Sequence, residues 1–181
     1  MSTKQDKKYK FHLIPSGILN TSVHCLIGNG VVVHLRGFLK ELATLKESLR
    51  SESATEVDCS SRIHISDRAH IVFDFHQQID ALNEKKLGEA NKLGTTHKGI
   101  GPAYGSKVMR NGVRVGDLQN MEYFEKRLTA LITQLKSAYP DLEVDVAAEM
   151  AYVRPPYTLH VHTFYMLHID LPTLHAHKMI T

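Results

Sequence analysis

Six apolar residues, Met121, Phe124, Leu128, Leu131, Leu135 and Ala138, recur at alternating intervals of three and four. At 3.6 residues per turn they line one face of a helix, predicted to run from about Leu118 to Tyr139. Asp117 or Asn120 is placed to cap it, and Pro140 to stop it. A helix with a single apolar stripe must bury that stripe against another layer, so the chain has to supply a partner surface.

The rest of the sequence offers both helices and strands for that layer. Phe38, Leu42, Leu45 and Leu49 repeat the helical spacing, and Phe75, Ile79 and Leu82 do so again, with Gly88 near the end of that helix. Between them lie short β-rich runs. Residues 9–14 alternate loosely and stop at Pro15-Ser16-Gly17, which reads as a strand and a turn. Val23 to Ile27 and Val31 to Val33 flank Gly28-Asn29-Gly30 and read as two strands around a hairpin turn. A dinucleotide-binding loop would need a third glycine where Val33 stands. Residues 62–65 form a further strand with a turn from Asp67, and residues 50–61 form a loop. This mixture predicts an α/β fold.

Bulk properties restrict the function classes. The 181 residues suit one domain with a real core, and 43% apolar against 23% charged residues is a soluble globular profile. A net charge of +3 argues against a nucleic-acid partner. The lysines at 4, 7, 8 and 10 read as a solvated terminal segment. Cys25 and Cys59 make neither a disulfide framework nor a CxxC pair, which points to a reducing compartment. With no secretory leader or membrane-spanning run visible, the cytoplasm is the expected location and no membrane partner is expected.

The segment with chemical content is Gly94-Thr95-Thr96-His97-Lys98-Gly99-Ile100-Gly101-Pro102-Ala103-Tyr104. Its glycines permit tight turns with exposed N–H groups, two threonine hydroxyls and a lysine reach toward an anion, and Pro102 is expected to open a helix that carries Arg110. The composition fits a phosphate cradle and also an ordinary Gly-rich connection. It is not a Walker loop, because no Gly-Lys-Ser/Thr follows at the required spacing. Eight residues of helix would carry Arg110 about 12 Å from Pro102. Thr96 and Arg110 are therefore not expected to grip one phosphate within one chain, and one of them serves a neighbouring subunit if both bind nucleotide.

Several segments together resemble the adenylosuccinate synthetase family. They are residues 11–20 (FHLIPSGILN), 27–32 (IGNGVV), 65–70 (ISDRAH), 94–104, and 107–118 (KVMRNGVRVGDL), in the family's order. The likeness runs from about residue 10 to about residue 147, and residues 65–76 are closest to the eukaryotic branch. The resemblance implies part of that family's large mixed-sheet, P-loop-like fold, truncated at both ends, and GTP-dependent ligation of aspartate to IMP with Mg²⁺. It implies that Thr96 contacts the IMP phosphate and that Arg110 reaches IMP bound in the other subunit of a homodimer. Thr95 and Lys98 would shape the loop, and Arg114 would help at the dimer interface. The family's GDEGKG and GHT motifs, which supply its catalytic base and acid, are not in this sequence, nor are its downstream EGAQG and guanine-recognising segments. The resemblance therefore assigns no catalytic residue here, puts the GTP and Mg²⁺ ligands in segments this chain lacks, and implies an inactive chain.

Composition shifts near residue 150. From there only Arg154, Asp170 and Lys178 are charged, while five of the chain's 12 histidines and three of its six prolines are present. The expected division is thus residues 1–149 as a partial family domain and 150–181 as a loosely packed tail, read as a translated intron, a frameshift or an alternative exon. The pairs His160/His162 and His175/His177 would suit zinc on an extended strand, but composition bias explains them without a metal, and no metal site is expected. His64, His70, His76 and His97 are expected to be structural.

Overall fold

The computed structural model describes residues 9–50, 59–87, 94, 96–153 and 161–162. The strands are short and parallel: β1 (Cys25–Ile27), β2 (Val32–Val33), β3 (Ile63–Ser66), β4 (His70–Ile71) and β5 (Val161–His162). β3 lies between β1 and β5, with Cys25 opposite Ile63 and Ile65 opposite Val161. β2 and β4 form a second pair, with Val32 opposite His70. The helices are α1 (Leu35–Arg50), α2 (Asp74–Leu87), α3 (Ile100–Val108), α4 (Met121–Ala138) and α5 (Val146–Val153).

The expected helices are present. In α1 the stripe Phe38, Leu42 and Leu45 is buried, and in α4 so are Phe124, Leu128 and Leu131. Asn120 caps α4, its Oδ1 accepting the Tyr123 N–H at 3.0 Å. The stripes meet Ile65, Ile71, Phe73 and Phe75 in one apolar core. A buried staple closes the edge near β1: the Arg62 guanidinium donates to the carbonyls of Ile18, Asn20 and Val23 at 3.1, 2.7 and 3.0 Å.

Three expectations need correction. Residues 9–14 are not a strand. The amides of His12, Leu13 and Ile14 donate instead to the Glu41 carboxylate on α1, at 2.9–3.3 Å. A carboxylate that takes successive amides replaces a ladder partner and leaves no sheet to join. The hairpin around Gly28–Gly30 is also absent. β1 and β2 exist but lie in different sheets, and each pairs in parallel with a strand beyond α1. Parallel pairing needs such a crossover, and it buries β1 and β2 against strands that a hairpin would not reach. Finally, Pro102 does not open α3. It is the third residue of α3 behind a Gly99 cap, which proline tolerates because first-turn amides have no intrahelical partner. Arg110 then falls beyond the helix end.

Most of the loop expected over 50–61 lies outside the described residues, as does Gly88. The proposed tail boundary falls within α5, whose residues Glu149 and Met150 are both buried. His160, His168, His175 and His177, and the side chain of His162, lie outside the described residues.

Candidate functional site

α3 has a distinct structure at each end. At its start, Gly94, His97 and Gly99 all have positive φ, of 67°, 51° and 72°. At Gly99 this is obligatory twice over. A Cβ there would sit 2.7 Å from backbone atoms of His76 and Gln77, so only glycine lets the loop lie on α2. The Gly99 amide donates to Asp80 Oδ2 at 2.6 Å and fixes the loop's exit. Thr96, His97 and Lys98 are exposed on the outer side of this bend. Thr95 lies outside the described residues.

At the other end, α3 finishes at Val108 and the chain turns back through Arg110, whose φ is 60°. The turn delivers residues 112–115 alongside β4. Val113 accepts the Ile71 amide at 2.9 Å, and His70 forms an antiparallel bridge with Arg114. A cleft of about 220 Å³ opens here, lined by Lys107, Arg110, Arg114 and Arg127, with His70, Asp117 and Tyr123. Four cationic side chains against one carboxylate make it an anion site by charge. Guanidinium forks match phosphate or carboxylate oxygens in particular.

The cations differ in how they are held. Lys107 Nζ donates to the carbonyls of Asn29 and Gly30 at 2.7 and 2.8 Å, so the turn after β1 anchors it. Arg127, on α4, donates to the Gly112 carbonyl at 2.8 Å, while its buried Nε has no partner. Asp117 Oδ2 accepts the Arg114 amide at 2.8 Å. His70 is buried, and its Nδ1 is likewise without a partner. Burial, with help from the charges of Arg114 and Lys107, pushes the His70 imidazole below its usual range, so it enters the cleft neutral. A neutral imidazole in one tautomer is a hydrogen-bond donor without a competing charge.

Arg110 and Arg114 thus sit in one cationic cleft, and Thr96 is not among its lining residues. Thr96 and Arg110 flank opposite ends of α3. Lys107 and Arg127 were not singled out in the sequence, and His70, expected to be structural, lines the cleft. Lys107 lies in a recognised motif without an assigned role, and Arg127 is one polar residue among many on α4. A larger cavity, about 630 Å³, lies between α2, α3 and α4 and includes Asp80, Met109 and Tyr139, but neither Thr96 nor Arg110. His76 is structural, as expected. His76 Nδ1 accepts the Phe73 amide at 3.0 Å, and burial beside His34 holds its imidazole down to about 3. Among the described residues no group of three or more His, Cys, Asp or Glu is arranged to hold a metal ion.

Comparison with known proteins bears on the same residues. The family model described as adenylosuccinate synthetase matches residues 2–167, a wider span than the motifs delimit. An adenylosuccinate synthetase of Phaeodactylum tricornutum is 53% identical over 150 residues, covering 83% of this chain and 27% of that protein. One from Phytophthora infestans is 55% identical over 146 residues, covering 81% and 25%. The structure of fully ligated adenylosuccinate synthetase from Plasmodium falciparum superposes with a TM-score of 0.68 at 38% identity, over 82% of this chain and 33% of that one. The chain spans about a quarter of the length of the curated relatives it matches.

Proposed function

The chain belongs to the adenylosuccinate synthetase family, and from that premise we propose that it carries the phosphate-recognising part of an IMP site divided between two subunits. The family joins aspartate to IMP with GTP as the energy source, in AMP biosynthesis. In this reading Thr96 contacts the IMP phosphate bound to its own protomer, and Arg110 completes the phosphate site of a partner protomer. The observation that carries it is the cationic cleft around Arg110, at the opposite end of α3 from the threonine bend. A second observation supports the pairing. Ile100, Tyr104 and Val108 recur every four residues along α3 and are exposed, with Val108 and Met109 at 77% and 69% beside Arg110. A contiguous exposed apolar stripe next to a binding residue fits a subunit interface.

GTP and Mg²⁺ belong to the reaction of the whole protein, with Mg²⁺ offsetting phosphate charge when bound. We place their ligands outside this chain and derive no phosphoryl-transfer step from its residues. Catalytic inertness of the isolated chain follows from the same reading. We also place the protein in the cytoplasm, a reading supported by two buried cysteines, Cys25 and Cys59, that are not joined in a disulfide. No helix among the described residues is long and apolar enough to cross a membrane.

Calorimetric titration of the chain with IMP, alongside sedimentation, tests the proposal. Saturable IMP binding by a dimer, with at least tenfold weaker binding of inosine, is expected from the loss of charge-assisted phosphate contacts. Equal affinity for inosine and IMP, or no binding of either, would defeat it and favour an inert product.

A further inference from the structure

Arg110 is exposed and in a left-handed conformation, which a residue with a Cβ adopts only where its surroundings impose it. The entry to the turn is held by main-chain bonds. Met109 donates to the Gly105 carbonyl at 2.9 Å, Arg110 to Lys107 at 3.2 Å, and both Asn111 and Gly112 to Ser106, at 3.2 and 3.0 Å. The exit is held differently. Gly112 is wedged against His70, where a Cβ would fall 2.7 Å from the ring. Its carbonyl is held by Arg127 Nη2 from α4, fifteen residues along the chain.

Arg127 thereby touches two things at once. One nitrogen is tied to the main chain two residues after Arg110. The side chain also lines the anion cleft and keeps a buried Nε without a partner. A planar guanidinium holds a carbonyl along a fixed direction, which a lysine ammonium on a flexible stem does with far less geometric constraint. We propose that Arg127 is a positioning residue for Arg110: its bond to the Gly112 carbonyl sets the turn that presents the Arg110 guanidinium to a phosphate. This rests on the reading above that Arg110 recognises IMP.

The test is a double-mutant cycle on the full chain, with IMP as the ligand. Arg127→Lys keeps the charge and loses the fork. It is expected to weaken IMP binding about tenfold, the equivalent of one charge-assisted hydrogen bond. The salt dependence of binding should stay that of the wild type, because the charge remains. In an Arg110→Ala background the same substitution should have no further effect, since the group it positions is gone. Additive losses, or an Arg127→Lys chain that binds like the wild type, would overturn the proposal. Amide hydrogen exchange at Asn111 and Gly112 separates this from a failure of the IMP reading. If the wild-type chain binds no IMP, Arg110 has lost its assigned ligand. The turn is still tested: about tenfold faster exchange at these two amides in Arg127→Lys supports Arg127 as its anchor, and unchanged exchange refutes it.

Discussion

Glu149 is the clearest place where the packing predicts a measurable pH dependence. It is buried in α5 at 6% exposure, and its Oε2 has no hydrogen-bond partner. Asp74, at the start of α2, is paired with Arg36 and with His34, whose Nε2 lies 2.8 Å from Asp74 Oδ1. Arg36 in turn stacks on the Tyr152 ring at 4.3 Å. Burial and then the Asp74 charge raise the Glu149 carboxyl from 4.5 to about 7, against the opposing pull of Arg36. Below pH 4.5 both folded and unfolded chains hold this proton, and the group does not weaken the fold. Between 4.5 and about 7 the unfolded chain releases the proton first, so stability falls as pH rises, and the loss is complete above about 7. At about 1.36 kcal/mol per pH unit, the loss is roughly 3 kcal/mol. That is a large fraction of the typical 5–15 kcal/mol stability of a domain.

Urea denaturation from pH 4.5 to 8 of the wild type and Glu149→Gln isolates the effect, because all other titrating groups are shared. The two chains should have similar midpoints at pH 4.5. By pH 8 the glutamine chain should lead by about 1–2 M urea, taking a slope near 2 kcal/mol/M. A difference that stays flat across the range, or a glutamine chain that is weaker at pH 8, would refute the burial argument.

Two further substitutions probe the frame around the site. Arg62→Met removes a donor from each of three carbonyls, of which that of Asn20 keeps the Val23 amide and those of Asn20 and Val23 are partly open to water, so the expected loss is about 3 kcal/mol by chemical denaturation. A loss under about 1 kcal/mol would mean water replaces the guanidinium at all three. Gly99→Ala combines a left-handed residue with a Cβ 2.7 Å from the α2 backbone, and should cost about 3 kcal/mol. Gly101→Ala meets nothing closer than 3.8 Å and serves as the tolerated comparison; equal melting temperatures for the two alanine variants would contradict the packing described.

Where periodicity alone decides an element, the sequence was sufficient. The stripes of α1 and α4 are buried as their spacing requires, and of the two local cap candidates, Asp117 and Asn120, it is Asn120 that caps α4. The errors come from long-range partners. Residues 9–14 lost their strand to Glu41, nearly thirty residues away, and β1 and β2 were separated by parallel pairing across α1. The site divides along the same line. The Gly94–Gly99 bend is legible because positive φ needs particular residues, and Arg110 came from a motif. The cleft was not legible: His70, Lys107 and Arg127 come from β4, α3 and α4 and meet only through packing.

The division of the IMP site between two subunits is tested most directly by mixing defective chains. Thr96→Ala and Arg110→Ala, each alone, should lose most IMP binding. After dissociation and random reassociation in equal amounts, half the dimers are mixed, and each mixed dimer regains one intact site, so calorimetry should recover about a quarter of the wild-type IMP sites. Recovery of none, with mixed dimers present in the sedimentation profile, would contradict a site built from Thr96 of one protomer and Arg110 of the other.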